Sequence, residues 1–241
     1  MLDWDHNAYY QRVLLRRMPQ HCRRVLDVGC GAGAFAARLA GRSEQVDAVD
    51  RSTEMIDEAR HRTPDNVNCI VGDVLVDSLP GKDYDAIFSI SALHHMPLQD
   101  ALPVLASALR PGGVLAAVAL PRPDLRRELP VEILAAVGFR LLGVVFLAKR
   151  LMGGKNGFAK DSTHSTMPVV MDPPLTTREV AHQAAAVLPG ARVRRLLFWR
   201  YLLVWQKPNT QWPHRLAPPL GFPPPSTSEF TNPRETSDMP R

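Results

Sequence analysis

The chain has 241 residues, 45% of them hydrophobic and 22% charged, the composition of an ordinary globular protein with one sizeable core and room for an appendage. A formal charge of +5 favours acidic partners only mildly, since nucleic-acid binding would need a focused basic patch. Cys22, Cys30 and Cys69 are an odd number without metal-ligand spacing, which argues for a reducing compartment and against a disulfide framework or a disulfide partner. The polar start "MLDWDHNAYYQR" has no secretory character, so the cytoplasm is the expected compartment.

Up to residue 120 the signals alternate between strand and helix. "RVLDVG" reads as a strand, "AFAARLA" as a helix and "QVDAVD" as a second strand. "STEMIDEARHR" is a helix for which Ser52 is the natural N-cap. "VNCIVGDV" and "YDAIFSIS" are strands three and four, "LQDALPVLASALR" a helix and "GGVLAAVAL" strand five. The strands are short and apolar almost throughout, as in a parallel sheet covered by helices on both faces. The fold class expected is therefore α/β, a doubly wound Rossmann-like sheet.

Residues 121–172 break the rhythm. A proline-punctuated connector leads into "VEILAAVGFRLLGVVFLAKR", which Glu132 and Arg140 interrupt and Gly138 and Gly143 weaken, leaving it short of a membrane span. We expect a helical insertion after strand five that covers a pocket, with peripheral membrane contact through 129–150 as a lesser use. Regular structure returns at "PPLTTREVAHQAAAVLPG", where Thr176 and Glu179 have capping-box spacing and Gly190 suits a C-terminal stop. "ARVRRLLFWRYLLVWQKP" reads as two strands joined by a tight turn around Trp199 and Arg200. From 208 to 241 proline, serine and threonine dominate without a periodic apolar face, the composition of a disordered tail.

The chemistry sits in "VLDVGCGAGAFAARLA". Gly29, Gly31 and Gly33 follow a strand and open a helix, so the turn can be tight and a ligand can approach the backbone. Asp50, ending the second strand, is placed to accept from two ribose hydroxyls. Gly29, Gly31 and Ala34 also satisfy G-x-G-x-x-A, which fits a nicotinamide-binding fold. Asp27 decides between the two, because a carboxylate there repels a pyrophosphate and welcomes a cationic ligand. S-adenosylmethionine carries a sulfonium and an ammonium group and no phosphate.

The run from 25 to 40 resembles the first motif of the class I S-adenosylmethionine-dependent methyltransferases. "VDAVDRSTEMIDEAR", "CIVGDV", "YDAIFSISALHHM" and "LRPGGVLAAVAL" resemble the next four landmarks, in order and at ordinary spacing. The resemblance covers residues 9–207 and implies a seven-stranded sheet whose last strand is antiparallel, forming a single domain from 1 to 207. It implies S-adenosylmethionine as cofactor and S-adenosylhomocysteine as product. Carried onto this chain, Gly29, Cys30, Gly31 and Gly33 back the methionine part, with Asp27 near its amino group. Asp50 takes the ribose, Met55 or Arg51 packs beside the adenine, Asp73 and the Val74 amide meet its edge, and Ser89 lies near the methionine carboxyl. Met55 as a core contact and Asp73 as a turn residue are the plain alternatives.

His94 and His95 follow strand four, where an acceptor would sit, and either could act as general base or merely shape the loop. Tyr9 or Tyr10 could line the acceptor pocket; alternatively an amphipathic helix packs Tyr9, Val13 and Leu14 on the sheet. No histidines and carboxylates gather at metal-ligand spacing, so no metal is expected. The apolar insertion points to a small, lipophilic acceptor. The basic clusters "RRELP", "AKRLMGGK" and "ARVRR" leave an anionic substrate open, while nucleic acid is disfavoured because no aromatics interleave with them. A non-catalytic cofactor-binding scaffold is the competing function.

Overall fold

The computed structural model describes residues 6–124 and 173–209. The predicted insertion, the membrane-contact segment and the tail lie outside these residues, apart from 121–124 and 208–209. All described residues belong to one unit, Met1–Gln211.

The elements follow the chain as α1 (His6–Leu15), β1 (Arg24–Val28), α2 (Ala34–Ala40), β2 (Gln45–Asp50), α3 (Thr53–Arg62), β3 (Val67–Val71) and β4 (Tyr84–Ile90). A single 3-10 turn (Leu93–His95) precedes α4 (Leu98–Ala108), β5 (Leu109–Ala119), α5 (Thr177–Val187), β6 (Arg192–Leu196) and β7 (Arg200–Gln206). The seven strands lie in the order β3-β2-β1-β4-β5-β7-β6. The five strands β1 to β5 pair in parallel, and β7 runs antiparallel to both β5 and β6.

Burial follows position in the sheet. Central β4 is buried from Tyr84 to Ser89, whereas in the edge strands β3 and β6 only Cys69 is buried and the other residues are partly buried or exposed. The three arginines of β6 fit an edge that must resist pairing with another chain. Ser52 accepts from the Met55 N–H at the start of α3, and Thr176 and Glu179 form a complete capping box on α5, as the sequence predicts. No described helix is long and apolar enough to cross a membrane.

Three local readings change. β5 begins at Leu109, within what reads as the end of a helix, and its first residues bulge away from β4 before Val114 pairs with Ala86. The bulge is possible because Gly113 packs where a Cβ would lie 2.9 Å from the Tyr84 carbonyl oxygen. The β6–β7 turn comprises Leu197, Phe198 and Trp199, so Arg200 opens β7 rather than sitting in the turn. On α1 it is Tyr10 and Leu14 that are buried, while Tyr9 is exposed.

The order of strands reverses between β1 and β4, the switch point where α/β sheets bind ligands beyond the carboxyl ends of their strands. The glycine loop after β1 and the histidine turn after β4 meet there.

Candidate active site

Gly29, Gly31 and Gly33 all have positive φ, at 70°, 52° and 78°. Their reasons differ. A Cβ on Gly29 would lie 2.1 Å from the Ala92 Cβ, and one on Gly33 would lie 2.8 Å from Thr63 Cγ2 and 3.0 Å from Ala59 Cβ. Two of the three glycines therefore let the loop close on its own neighbours, in addition to any room they leave for a ligand.

The loop is also tied through its backbone. Gly29 and Cys30 donate to the Val49 carbonyl at 2.8 and 3.1 Å, and Gly33 donates to the Cys30 carbonyl at 3.1 Å. The Gly31 N–H donates to Asp50 Oδ2 at 2.8 Å, and Ser52 N–H donates to Asp50 Oδ1 at 2.9 Å. Four N–H groups that a diphosphate would need are thus engaged within the protein. Each Asp50 oxygen keeps a further lone pair, enough to accept from a diol.

Asp27, at the end of β1, is 1% exposed, and its Oδ2 has no hydrogen-bond partner among the described residues. Burial, and then the charge of Asp50, push its carboxyl up to about 8. A buried carboxylate oxygen without a donor is costly, and a cation placed beside it would relieve that cost. The donor set therefore fits a ligand bearing an ammonium and a diol rather than a dinucleotide. The Cys30 thiol is buried and lifted far above its usual value by desolvation and by Asp27 and Asp50, so it is no nucleophile.

Around this centre the remaining predicted residues take their places. Met55 is 6% exposed at the start of α3, and Val74 is buried in the loop after β3. Arg51 is exposed and lies 3.5 Å from Asp73, whose Oδ1 also accepts from the Leu75 N–H. Ser89 is fully buried and donates to the Val28 carbonyl at 2.9 Å, linking β4 to β1.

The two histidines stack with ring centroids 4.1 Å apart. His94 is buried, its Nδ1 has no partner among the described residues, and its imidazole is pulled down to about 3 by burial, then by His95 and Arg200. His95 is more exposed and is lowered by burial and by Arg51. Tyr10 donates its hydroxyl to the Leu197 carbonyl, which clasps α1 to the β6–β7 turn. Tyr9 stacks edge-on with Tyr10 and with Phe198, at 5.0 and 6.1 Å between centroids. Sequence reasoning missed Ala92, which crowds Gly29, and Arg200, whose charge acts on His94. The only signal for Arg200 was the hairpin register, which decides whether it lies in the turn or on β7. Among the described residues no group of histidines, cysteines and carboxylates could hold a metal.

Comparison with known proteins gives the family. Residues 25–113 match the profile of a methyltransferase domain. Over 207 residues the chain is 33% identical to an uncharacterised methyltransferase of Mycobacterium tuberculosis (strain ATCC 25618 / H37Rv), covering 85% of this chain and 98% of that one. The chain belongs to the class I S-adenosylmethionine-dependent methyltransferases. A trans-aconitate 2-methyltransferase of Variovorax paradoxus (strain S110) is 34% identical over 151 residues, 57% of this methyltransferase and 56% of that relative. The fold matches the structure of a DhpI–SAH complex with a TM-score of 0.55 and 20% identity, over 86% of this chain and 89% of that one. The methyltransferase uses S-adenosylmethionine.

Proposed function

We propose that this methyltransferase transfers the methyl group to a small acceptor with an apolar part. The observation that carries the reading is the apolar rim at the carboxyl end of the sheet, where Tyr9, Leu197 and Trp199 are exposed around the clasp between α1 and the β6–β7 turn. A relative that acts on trans-aconitate, itself a small molecule, supports the same size class.

In this reading S-adenosylmethionine supplies an activated methyl group on a sulfonium, and the protein supplies alignment. Asp27 holds the amino end and Asp50 the ribose, while the backbone ties of the glycine loop fix both carboxylates before binding. Met55 and Arg51 flank the adenine, with Asp73 and the Val74 amide at its edge. Ser89 sets the spacing of β1 and β4 under the methionine end. Tyr9 faces the acceptor, and Tyr10 fixes the helix that carries it.

The test is isothermal titration with S-adenosylmethionine, S-adenosylhomocysteine and NADH, on wild type and Asp50→Ala, followed by methyl transfer to a small-molecule extract. Micromolar binding of the first two, weakened by about 1.5 kcal/mol or more in the variant, and label in small molecules are expected. Tight binding without label in any acceptor would favour a non-catalytic scaffold.

A further inference from the structure

One stretch of the described surface joins exposed cations to exposed apolar side chains. From Val180 to Asn209 the chain has no acidic residue, while β6, β7 and their turn carry Arg192, Arg194, Arg195 and Arg200, with Lys207 just beyond. Arg192 and Arg194 are exposed, and neither pairs with a carboxylate among the described residues. At the tip of the same hairpin Leu197 is 41% and Trp199 36% exposed.

The sheet register puts the two arginines on one face. Side chains alternate across a strand, so Arg192, Arg194 and Leu196 share a side of β6. Their partners across the ladder are Val204, Leu202 and Arg200. Leu202 belongs to the core beneath α1, and Leu196 and Val204 pack against that core. α1 itself lies over β4 and β5, farther in. Trp205 points to the opposite face, where its indole N–H donates to the Pro189 carbonyl just after α5. Arg192 and Arg194 therefore stand at the outer margin of the α1 face. Protection of a sheet edge accounts for arginines on β6, but not for the apolar tip beside them.

That tip is held in place. Phe198 and Trp199 both have left-handed backbones, with φ of 56° and 55°, where glycine or asparagine is the ordinary choice. Burial of Phe198 in the core and the Tyr10 hydroxyl on the Leu197 carbonyl fix the turn. The result is a rigid tip that presents Leu197 and Trp199 outward.

We propose that the β6–β7 hairpin docks on an anionic lipid bilayer, with Leu197 and Trp199 entering the interface and Arg192 and Arg194 meeting lipid phosphates. The dimensions agree. Strand residues advance about 3.3 Å each, which sets Arg194 roughly 10 Å and Arg192 roughly 16 Å behind Leu197. A tip sunk by about 5–10 Å brings the Arg194 guanidinium among the headgroups and that of Arg192 close above them. Tryptophan favours this interface, because its ring is apolar and its N–H polar. Basic side chains beside an anionic leaflet add attraction that salt screens. A soluble polyanion would draw on the arginines alone and leave Leu197 without a role. The apolar rim proposed to face the acceptor then opens toward the phase in which a molecule with an apolar part concentrates. Docking itself does not depend on which molecule accepts the methyl group.

The experiment sediments the full chain, saturated with S-adenosylhomocysteine, with vesicles of phosphatidylcholine alone or of equal parts phosphatidylcholine and phosphatidylglycerol. Binding to the mixed vesicles is expected, about tenfold or more tighter than to phosphatidylcholine and weakened by salt. Arg192→Gln with Arg194→Gln should weaken it about tenfold or more, and Leu197→Ser with Trp199→Ser to a similar degree. The rise in Tm caused by S-adenosylhomocysteine shows that each variant is folded. Independently of these variants, brominated lipid should quench the wild-type tryptophan fluorescence, and Trp199→Phe should lose that quenching. No binding to the mixed vesicles overturns the inference. So does binding that the arginine pair does not affect, which would place the contact on another segment. Binding that keeps its strength in the Leu197 and Trp199 variant, with duplex DNA bound equally well, would make the surface a general polyanion site and overturn it too.

Discussion

Asp27 and Asp50 share one electrostatic neighbourhood with opposite degrees of satisfaction. Asp50 accepts from the Gly31 and Ser52 N–H groups, whereas the deeply buried Asp27 Oδ2 accepts from no described residue. Asp50 raises the Asp27 carboxyl further after burial has already done so. A cation beside Asp27 would supply the partner that its Oδ2 lacks among the described residues.

Removing the Asp27 charge should therefore separate stability from binding. Asp27→Asn is expected to raise the stability of the ligand-free protein at pH 8 by about 1 kcal/mol, or roughly 2–4 °C in Tm. The same change should weaken S-adenosylmethionine binding about tenfold or more, because a charge-assisted hydrogen bond is lost. Scanning fluorimetry with and without S-adenosylhomocysteine reads both. A variant that lost stability in both conditions would assign Asp27 a structural role.

The pH dependence has a definite sign. A folded-state value near 8 against an unfolded value near 4 means that the folded protein binds the extra proton between those limits. Asp27's contribution to stability is then full at low pH and falls as pH rises from about 4 to 8. Cofactor binding runs the other way. It draws on the ionised carboxylate, so affinity should weaken as pH drops below about 8, approaching tenfold per unit. Titrations at pH 6, 7 and 8 should show this slope in wild type and its loss in Asp27→Asn.

Gly29 and Ala92 are 63 positions apart in sequence and touch in the fold. Gly29→Ala should cost roughly 2–4 kcal/mol, combining a left-handed φ with overpacking against the Ala92 Cβ. Adding Ala92→Gly removes the clash and leaves the φ penalty, so the double variant should regain about half of the loss. Urea midpoints for the four members of this cycle give the coupling directly. Equal losses in the single and double variants would show that the clash is not the cause.

A buried polar group at the other end of the sheet should affect stability alone. The Tyr84 hydroxyl and Arg24 Nε both donate to Asp47 Oδ2, at 2.8 and 2.7 Å, and Asn68 donates to its Oδ1 at 3.2 Å. Tyr84→Phe takes away one donor from a fully buried carboxylate and should cost about 1–3 kcal/mol. Arg24, Asp47 and Tyr84 lie toward the amino ends of their parallel strands, away from the site, so cofactor affinity should not change. A shifted affinity would reveal coupling along β2 and β4.

Local features of this protein are legible because they are decided within a few residues. Ser52 caps α3 and Thr176 pairs with Glu179 because the donors that each satisfies lie three positions ahead. Alternating apolar runs and helical patterns fixed the doubly wound class, and "VLDVGCGAG" beside Asp50 carried the cofactor. What tertiary structure decided depends on partners far away in the chain. Tyr10 rather than Tyr9 became the core residue because its hydroxyl finds the Leu197 carbonyl, 187 positions on. Gly29 is demanded by Ala92, and His94 is set apart from His95 by burial under neighbours that no local pattern names. Arg200 comes near enough to His94 to act on it because β7 runs antiparallel and begins where β5 ends. Backbone propensity and apolar period are local quantities, whereas the charge and burial that give a side chain its chemistry are sums over the whole fold.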